Sequence, residues 1–348
     1  MPLDEAEGGE LCRNQSTSAD AWRQLLSGLP VAVEHLSFWL RSLDDEKAEA
    51  LAPKLSHFMK LKELNFAWNQ SISADGWRQL LSGLPIAVED LSCEACSLHD
   101  EKAVALVDLS RLTKLRKVNF AGNSCTSADA WRKLLSGLPV AVEDLGFRDC
   151  KLDDETVTAL TPKLSRFMKL KEVAFDMNQS ISADGWRQLL SGLPVAVEHL
   201  SFRDCSLDDE KATALALELV RFARLKTASF GFNRLISMEG SARLLAAMLR
   251  APSFISTAMP LTSDSIGKLG APAALEFAMA QAIRIDLGEF DDSSHSEFVK
   301  ALIVVSLCRI NFDGSKSESE DRWQEVIQGL PVSAEELSFR HSICMARS

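Results

Sequence analysis

The segment Gln179–Phe202, QSISADGWRQLLSGLPVAVEHLSF, recurs at Gln70–Cys93 with three differences in 24 residues. The differing positions are Ile86 for Val195, Asp90 for His199, and Cys93 for Phe202. The rest of the segment is a fixed frame that is repeated along the chain. We infer that the frame specifies the fold, and that the positions where the copies differ carry any binding specificity.

The tryptophans give the period of the repeat. Trp22, Trp77, Trp131 and Trp186 are spaced by 55, 54 and 55 residues, and Trp323 follows 137 residues later, about two and a half periods. Since the last interval is a half-integer number of periods, the true repeat is half as long, 27 or 28 residues. This length falls in the range of leucine-rich repeats.

Each repeat has the pattern of a strand followed by a helix. The first type is VEHLSFRDCSLDDEKATALALEL at Val197–Leu219, and the second is LKEVAFDMNQSISADGWRQLLSGL at Leu170–Leu193. In both, an apolar period of 2 changes to a period of 3.6. Where the strand ends, the first type has Cys96, Cys150 or Cys205 and the second has Asn69, Asn123, Asn178 or Asn233. We expect these side chains to satisfy backbone groups at the turn.

This alternation of Cys and Asn repeats resembles the ribonuclease-inhibitor-like class of leucine-rich repeats, to which the repeats of NOD-like receptors and Ran GTPase-activating proteins are related. The resemblance covers Asn14 to about Ile236, and Arg41 departs from it by replacing a cysteine. It implies an α/β solenoid. Because parallel strands pack ~4.8 Å apart and helices ~8–10 Å apart, we expect a horseshoe with parallel strands on the concave face and helices on the convex face.

We predict a single leucine-rich-repeat domain over residues 1–348. It comprises a part-repeat at 1–17, regular alternating repeats at 18–236, divergent repeats at 237–306, and last repeats at 307–348 with no evident C-terminal cap. In the later part we predict strands at Ile283–Leu287 and Arg309–Phe312 and a helix at Ser296–Val305. Since solenoids need polar terminal caps, we expect either a truncated parent protein or end-to-end self-association.

The helix ends carry further signals. Ser73 and Ser182 precede helices with an acidic first turn and are predicted N-caps. Gly83 and Gly192, each followed by a proline two residues later, predict a C-terminal stop. Pro53 and Pro162 lie late in two other helices and are predicted to break their last turn.

The outward strand positions define the predicted binding surface. The middle column is mostly small and polar, whereas the outer columns are charged and vary between repeats. Trp39 and Trp68 are the predicted anchors, because exposed aromatic residues often dominate interfaces. The predicted protein-binding residues are His35, Trp39, Trp68, Asp90, Glu94, Asp144, Arg148, Asp176, His199 and Arg203.

Charge and hydropathy limit the class of partner. A net charge of −11 argues against a nucleic acid and favours a protein partner of basic or mixed charge. The start MPLDEAEGGE lacks the pattern of a signal peptide, and the longest apolar run, Ala301–Val305, is far shorter than a membrane span. We therefore predict a cytoplasmic or nuclear protein with no membrane partner and with reduced cysteines.

Motifs for metals and catalysis have simpler explanations. Cys93-x-x-Cys96-x-x-His99 lacks the second ligand pair that zinc needs. Three acidic triplets lack the ligand alternation of a calcium loop and are interpreted as helix caps: Asp44-Asp45-Glu46, Asp153-Asp154-Glu155 and Asp208-Asp209-Glu210. His35 and His199 are interpreted as solvated variable positions rather than acid–base catalysts. The common phosphate-binding, zinc-protease and serine-hydrolase motifs are absent from the sequence. We predict no cofactor, no metal and no catalytic residue.

These observations predict a non-enzymatic protein–protein interaction scaffold that binds a protein through its concave face, as an inhibitor or a sensor. Two alternatives follow from the resemblance. One is a GTPase-activating protein similar to the Ran regulator, and the other is a ligand-sensing fragment of a NOD-like receptor.

Overall fold

The computed structural model describes residues 17–124, 127–248 and 250, and the short strands at 256–258, 284–286, 309–311, 316–317, 336–338 and 343–344. The chain divides into two compact units. The first is Met1–Ala174 with Gly192–Pro194, and the second is Phe175–Ser191 with Val195–Ser348.

The first compact unit alternates helices and three-residue strands, in the order that the sequence predicts. Its elements are α1 (Ala19–Gly28), β1 (His35–Ser37), α2 (Asp45–Leu55), β2 (Glu63–Asn65), α3 (Ala74–Gly83), β3 (Asp90–Ser92), α4 (Asp100–Ala105) with a 3-10 helix (Leu106–Arg111), β4 (Lys117–Asn119), α5 (Ala128–Gly137), β5 (Asp144–Gly146), α6 (Asp154–Leu164) and β6 (Glu172–Ala174). Each strand pairs in parallel with the next, in a constant register that aligns His35 with Glu63 and Asp144 with Glu172.

The second compact unit continues the same alternation. Its elements are α7 (Ala183–Ser191), β7 (His199–Ser201), α8 (Asp209–Leu219), β8 (Thr227–Ser229), α9 (Met238–Met248), β9 (Ser256–Ala258), β10 (Arg284–Asp286), β11 (Arg309–Asn311), β12 (Lys316–Ser317), β13 (Glu336–Ser338) and β14 (Ile343–Cys344). Strands β7 to β11 and then β13 pair in parallel, and β12 pairs with β14. Strands β10 and β11 confirm two predictions, and the predicted helix at Ser296–Val305 lies outside the described residues.

The core of the first compact unit is an aromatic stack between strands and helices. Phe38 and Phe66 stack with ring centroids 5.5 Å apart, and Trp77 meets Phe66 edge-on at 5.6 Å. Further along, Trp131 lies between Phe120 and Phe147 at 6.0 and 5.6 Å. These rings are buried. Trp77 and Trp131 are therefore core residues, and each supplies a large contact area between consecutive repeats.

Side chains at the strand ends connect each repeat to the one before it. Asn123 is fully buried. Its Nδ2 donates to the carbonyls of Cys93 (2.7 Å) and Phe120 (2.8 Å), and its Oδ1 accepts from the backbone N–H of Leu98 (3.0 Å). Cys150 Sγ in turn donates to the Phe120 carbonyl at 3.2 Å. The predicted role of these Asn and Cys side chains, to satisfy backbone groups at the turn, is confirmed.

Polar side chains cap the helix starts. The Ser73 hydroxyl accepts from the N–H groups of Asp75 and Gly76, and the Ser182 hydroxyl accepts from Gly185. Asp44 and its equivalents Asp153 and Asp208 accept from backbone N–H groups in the first turn of their helices. The acidic triplets are therefore helix caps, as predicted.

The predicted helix stops at Gly83 and Gly192 are confirmed, and the predicted breaks at Pro53 and Pro162 are wrong. Helix α3 ends at Gly83, and α7 ends at Ser191, directly before Gly192. Neither glycine has a positive φ. A Cβ on Gly83 would lie 2.1 Å from the Ala52 carbonyl oxygen, so glycine here lets α2 and α3 approach closely. Helix α2 continues past Pro53 to Leu55, and α6 continues past Pro162 to Leu164. A proline near the end of a helix is tolerated there, because only one backbone hydrogen bond is lost.

We expect Asn123→Ala to lower the free energy of unfolding by about 3 kcal/mol, because it leaves several buried backbone groups without partners. Cys150→Ala removes one weaker hydrogen bond and should cost about 1 kcal/mol. Urea unfolding followed by circular dichroism measures both. Gln79→Ala on the exposed side of α3 is the control, and equal losses at Asn123 and Gln79 would contradict the assignment.

Gly28 and Gly137 end two helices of nearly identical sequence and form a matched pair. A Cβ on Gly137 would lie 2.5 Å from the Val107 backbone, whereas a Cβ on Gly28 meets nothing within 4 Å. We expect Gly137→Ala to lower the free energy of unfolding by about 2 kcal/mol or more. Gly28→Ala should leave it unchanged or raise it by up to about 1 kcal/mol. If thermal unfolding shows that both substitutions change the stability in the same direction, the close-packing role of Gly137 is wrong.

Candidate functional site

The exposed face of the sheet is built by the pleat of the strands. In every strand from β1 to β6 the middle residue is buried, and the first and third residues point outward. The constant register places the first residues of the six strands side by side. We call these residues the first column: His35, Glu63, Asp90, Lys117, Asp144 and Glu172.

The first column is predominantly acidic. It contains four carboxylates, one lysine and one histidine. His35 Nδ1 lies 2.7 Å from Glu63 Oε2, and Lys117 Nζ lies 3.9 Å from Asp144 Oδ2. The carboxylates outnumber the neighbouring cations, so the face presents negative charge where a partner would approach.

Two aspartates in this column have raised pKa values. Burial, with a smaller contribution from the nearby Glu172 carboxylate, raises the pKa of Asp144 to about 6, against an opposing effect of Lys117. Burial also raises the pKa of Asp90, and Lys117 again opposes the shift. Desolvation disfavours the charged form of a carboxyl group. The column therefore loses negative charge as the pH falls toward 6.

The turns after β1 and β2 carry exposed tryptophans. Trp39 is 50% exposed and Trp68 is 46% exposed. The Trp68 N–H donates to the Glu94 carbonyl at 2.8 Å, and the Leu40 N–H donates to the Ala67 carbonyl at 3.0 Å. These backbone bonds fix both turns, while the indole rings remain available to a partner.

Trp68 lies in the left-handed region of backbone conformation, with φ of 64°. Its equivalent in the next repeat of the same type is Gly122, with φ of 68°. Glycine, Asn and Asp tolerate this conformation, whereas a bulky residue is uncommon there. The turn therefore holds a large aromatic side chain in a backbone conformation that is strained for a bulky residue.

Glu94 and Arg148 each lie two residues after a strand, in the turns that follow β3 and β5. Glu94 Oε2 accepts from Asn119 Nδ2 at 3.2 Å, and the Arg148 carbonyl accepts from the Gly122 N–H at 2.7 Å. Glu94 is half-buried and Arg148 is exposed. His35, Asp90, Asp144, Glu94, Arg148, Trp39 and Trp68 thus all lie on the outward strand positions or the turns of one sheet.

The three remaining predicted residues lie in the second compact unit and make contacts within it. The Asp176 carboxylate accepts from the Arg203 N–H at 2.8 Å and from the Ser201 hydroxyl. His199 Nδ1 lies 2.8 Å from Thr227 Oγ1, and the Arg203 guanidinium lies over the Phe232 ring at 5.1 Å. Asp176 supports the local backbone, so a substitution there tests structure as well as binding.

Sequence reasoning missed two exposed apolar side chains at these turns. Leu40 and Phe232 are exposed and left-handed, with φ of 54° and 64°. Both align with Trp68 when the repeats are superimposed on their strand-end residues. The sequence contains a signal for this position, because Gly122 and Asp149 occupy it in other repeats and both residue types favour a left-handed turn. Leu40 and Phe232 are bulky apolar residues at the same position.

Metal binding finds no support in the described residues, which contain no group of three or more His, Cys, Asp or Glu suited to a metal ion. Cys93 and Cys96 are buried, and Cys96 Sγ donates to the Phe66 carbonyl at 3.2 Å. Burial raises the pKa of Cys96 to about 12. The predicted structural role of these cysteines is confirmed. None of the described helices has the length and apolar character that crossing a membrane requires.

A similar sequence is found in a curated vertebrate protein. Leucine-rich repeat-containing protein 14 of Xenopus laevis is 30% identical over 187 residues, which cover 48% of this chain and 36% of that protein. The matched region thus spans about a third of the relative's length. No protein-family model matches the chain.

Solved structures share the fold. The leucine-rich repeat-containing protein LegL7 of Legionella pneumophila has a TM-score of 0.55 at 17% identity, covering 87% of this chain and 89% of that one. An internalin (inlF) of Listeria monocytogenes has a TM-score of 0.50 at 15% identity, covering 94% and 90%. With the parallel strands and alternating helices above, the likeness confirms an α/β leucine-rich-repeat solenoid. The ribonuclease-inhibitor-like subtype stays a prediction.

Asp144 provides a test of the electrostatics of the first column. With a folded pKa of about 6 and an ordinary value of 3.8, its protonation stabilises the folded chain fully below pH 3.8, and this contribution is lost as the pH rises through 6. We expect Asp144→Asn to be more stable than the parent at pH 7.5 and to lose most of this advantage at pH 4. Denaturant unfolding at both pH values measures the difference, with Asp75→Asn on α3 as control. A stability difference independent of pH would contradict the shift.

Proposed function

We propose that this chain is a non-enzymatic protein-interaction scaffold that binds a protein partner through the exposed sheet face, and that it serves as an inhibitor or a sensor. The sheet face is the surface that the sequence predicts to be concave. The likeness to leucine-rich-repeat solenoids supports an interaction role. The fold alone leaves the partner open, because one fold hosts many functions.

The half-exposed Trp68 in a left-handed turn is the observation that carries the proposal. A non-glycine residue in this conformation costs about 1 kcal/mol or more, and an exposed indole recovers only part of its burial energy. The equivalent Gly122 shows that the turn forms without an aromatic side chain. Binding explains why a tryptophan occupies this position, since tryptophan is enriched among the residues that contribute most to interfaces.

The acidic first column supports a partner of basic or mixed charge. Four carboxylates line one side of the outward surface. The third residues of β1 to β5 are small or polar and leave the backbone accessible: Ser37, Asn65, Ser92, Asn119 and Gly146. Complementary charge would increase the association rate and select against acidic competitors. Trp39 and Trp68, at the far end of β1 and β2, would then contact an apolar part of the same partner.

The absence of catalytic motifs in the sequence supports a non-enzymatic role. The two alternatives, a GTPase-activating protein similar to the Ran regulator and a ligand-sensing fragment of a NOD-like receptor, remain predictions. An increase in GTP hydrolysis by a small GTPase on addition of the chain would favour the first of them over the scaffold.

Trp68→Gly separates binding from stability. Glycine relieves the left-handed strain, and this offsets part of the lost indole packing, so we expect the free energy of unfolding to fall by no more than about 2 kcal/mol. We expect partner capture from native cytosol to fall at least about tenfold when Trp68→Gly is combined with Trp39→Ser. Quantitative mass spectrometry of proteins retained on the immobilised chain measures this.

Leu25→Ser provides the control, because Leu25 on α1 is similarly exposed but lies away from the strands. It should retain the same proteins as the parent chain. If the double variant at Trp39 and Trp68 captures what the parent captures, the proposed role of the sheet face is wrong.

A further inference from the structure

A second surface of the first compact unit lies at the loops that precede its strands. These loops are the six residues before each of β1 to β6: 29–34, 57–62, 84–89, 111–116, 138–143 and 166–171. We call them the pre-strand edge. The edge is separate from the turns that carry Trp39 and Trp68, which follow the strands.

An apolar side chain stands exposed four residues before the strand in five of the six loops. These residues are Val31, Met59, Ile86, Val140 and Met168, and Thr113 takes the position in the remaining loop. They are between 55% and 71% exposed. Exposed apolar residues that recur at the same place in consecutive repeats form a row, whereas singly scattered ones are ordinary.

The backbone of these loops is fixed and already hydrogen-bonded. In the first-type repeats a valine N–H donates to a proline carbonyl, as in Val88 to Pro85 at 3.2 Å. In the second type a leucine N–H donates to the carbonyl three residues earlier, as in Leu61 to Phe58 at 2.9 Å. The N–H groups of Lys62 and Glu63 both donate to the Glu34 carbonyl. A partner at this edge therefore has to bind through side chains rather than by adding a strand.

The pre-strand edge is basic, although the chain as a whole is acidic. Its six loops contain eight Lys or Arg residues and three Glu, a net charge of +5, in a chain with a net charge of −11. The three glutamates are half-buried. The edge therefore has the opposite sign to the first column of the sheet face.

Some of these cations are neutralised within the edge and others are not. Lys62 Nζ lies 2.6 Å from Glu34, Lys171 Nζ lies 2.6 Å from Glu143, and Arg116 also pairs with Glu143. Lys60, Lys114 and Lys169 are exposed, and no ion pair joins them to any residue that the structure describes. Lys60 and Lys169 directly follow Met59 and Met168 of the row, and Lys114 follows Thr113 at the equivalent position. Free cations thus stand beside the apolar row.

We propose that the pre-strand edge docks an acidic amphipathic helix of a partner protein. The apolar stripe of that helix would contact the row of Val31, Met59, Ile86, Val140 and Met168. Its flanking carboxylates would pair with Lys60, Lys114 and Lys169. This surface and the sheet face would bind partners of opposite charge, and the proposal stands whether or not the sheet face binds a protein.

The spacing of the row suits a helix. Neighbouring loops are separated by a distance between the ~4.8 Å of parallel strands and the ~8–10 Å of packed helices. A helix that runs across the strands presents one side of each turn every ~5.4 Å. Successive turns of its apolar stripe would thus contact the row residues of successive repeats. Met59 and Met168 are flexible and can adapt to small differences between the helix pitch and the loop spacing.

A designed peptide tests this docking surface directly. The probe is a fluorescein-labelled helix of about 21 residues, long enough to extend about 32 Å, with leucines on one face and glutamates on both sides of it. We expect it to bind the full chain in fluorescence anisotropy, more weakly at high salt. A scrambled peptide of the same composition, and a peptide with lysine in place of glutamate, should bind at least about tenfold more weakly.

Two sets of variants locate the binding site. Met59→Ser with Ile86→Ser and Val140→Ser removes part of the row, and Lys60→Glu with Lys114→Glu and Lys169→Glu reverses the free cations. Each set should weaken binding of the acidic probe at least about tenfold. Leu25→Ser with Val104→Ser, and Arg78→Glu with Lys133→Glu, are controls on exposed helix positions outside the edge and should bind as the parent does.

Several results would overturn the proposal. Equal binding of the scrambled peptide, or unchanged binding by both sets of variants, would exclude a specific site. If the chain binds vesicles of phosphatidylcholine with phosphatidylserine and the row substitutions abolish this binding, the edge binds an anionic membrane instead. If the chain sediments as a dimer and the Met59, Ile86 and Val140 substitutions dissociate it, the edge binds a second copy of the chain instead. Trp68→Gly should leave probe binding unchanged, so a failure here is distinct from a failure of the sheet-face proposal.

Discussion

The buried amide that follows every second strand from β2 to β8 is the contact on which the rest of the structure depends. Asn69 Nδ2 donates to the carbonyls of Phe38 and Phe66, while its Oδ1 accepts from the Leu43 N–H. One side chain thus joins two consecutive strands and the turn between the first strand and its helix. Each of these backbone groups would otherwise be buried without a partner, which costs more than the hydrogen bond itself contributes. The register of the sheet and the direction of each following turn both follow from this bond.

The same constraint connects the fold to the candidate site. The residue directly before the buried asparagine is left-handed in each second-type repeat that the structure describes, and it is Trp68, Gly122, Met177 or Phe232. Because the asparagine fixes the turn, the identity of the preceding residue is free to vary with function at a modest cost in strain. The fold thus provides a rigid position for a large side chain beside an acidic column. The loops at the other end of the strands are basic and carry their own apolar row.

Much of this arrangement follows from the sequence, because the strand and helix patterns repeat with a fixed period. The strand positions, the serine and aspartate caps, and the Asn and Cys roles could all be predicted from local patterns. The ends of α2 and α6 could not, since tertiary packing lets the helices continue through Pro53 and Pro162. The role of Gly83 depends on how closely α2 approaches. The raised pKa of Asp144 depends on its burial and on Glu172 in the neighbouring strand, and neither is visible in a single repeat.

The alternation of Asn and Cys at the strand ends has a consequence for how the chain opens. The thiols of Cys96 and Cys205 are buried and hydrogen-bonded, and burial raises the pKa of each to about 12. In a folded repeat the cysteine is therefore protonated and inaccessible to alkylating reagents. In an opened repeat it is an exposed thiol with an ordinary pKa near 8.5. The alkylation rate of each such cysteine therefore reports how often its own repeat opens. The rates of alkylation along the chain would map local unfolding repeat by repeat, without any introduced probe.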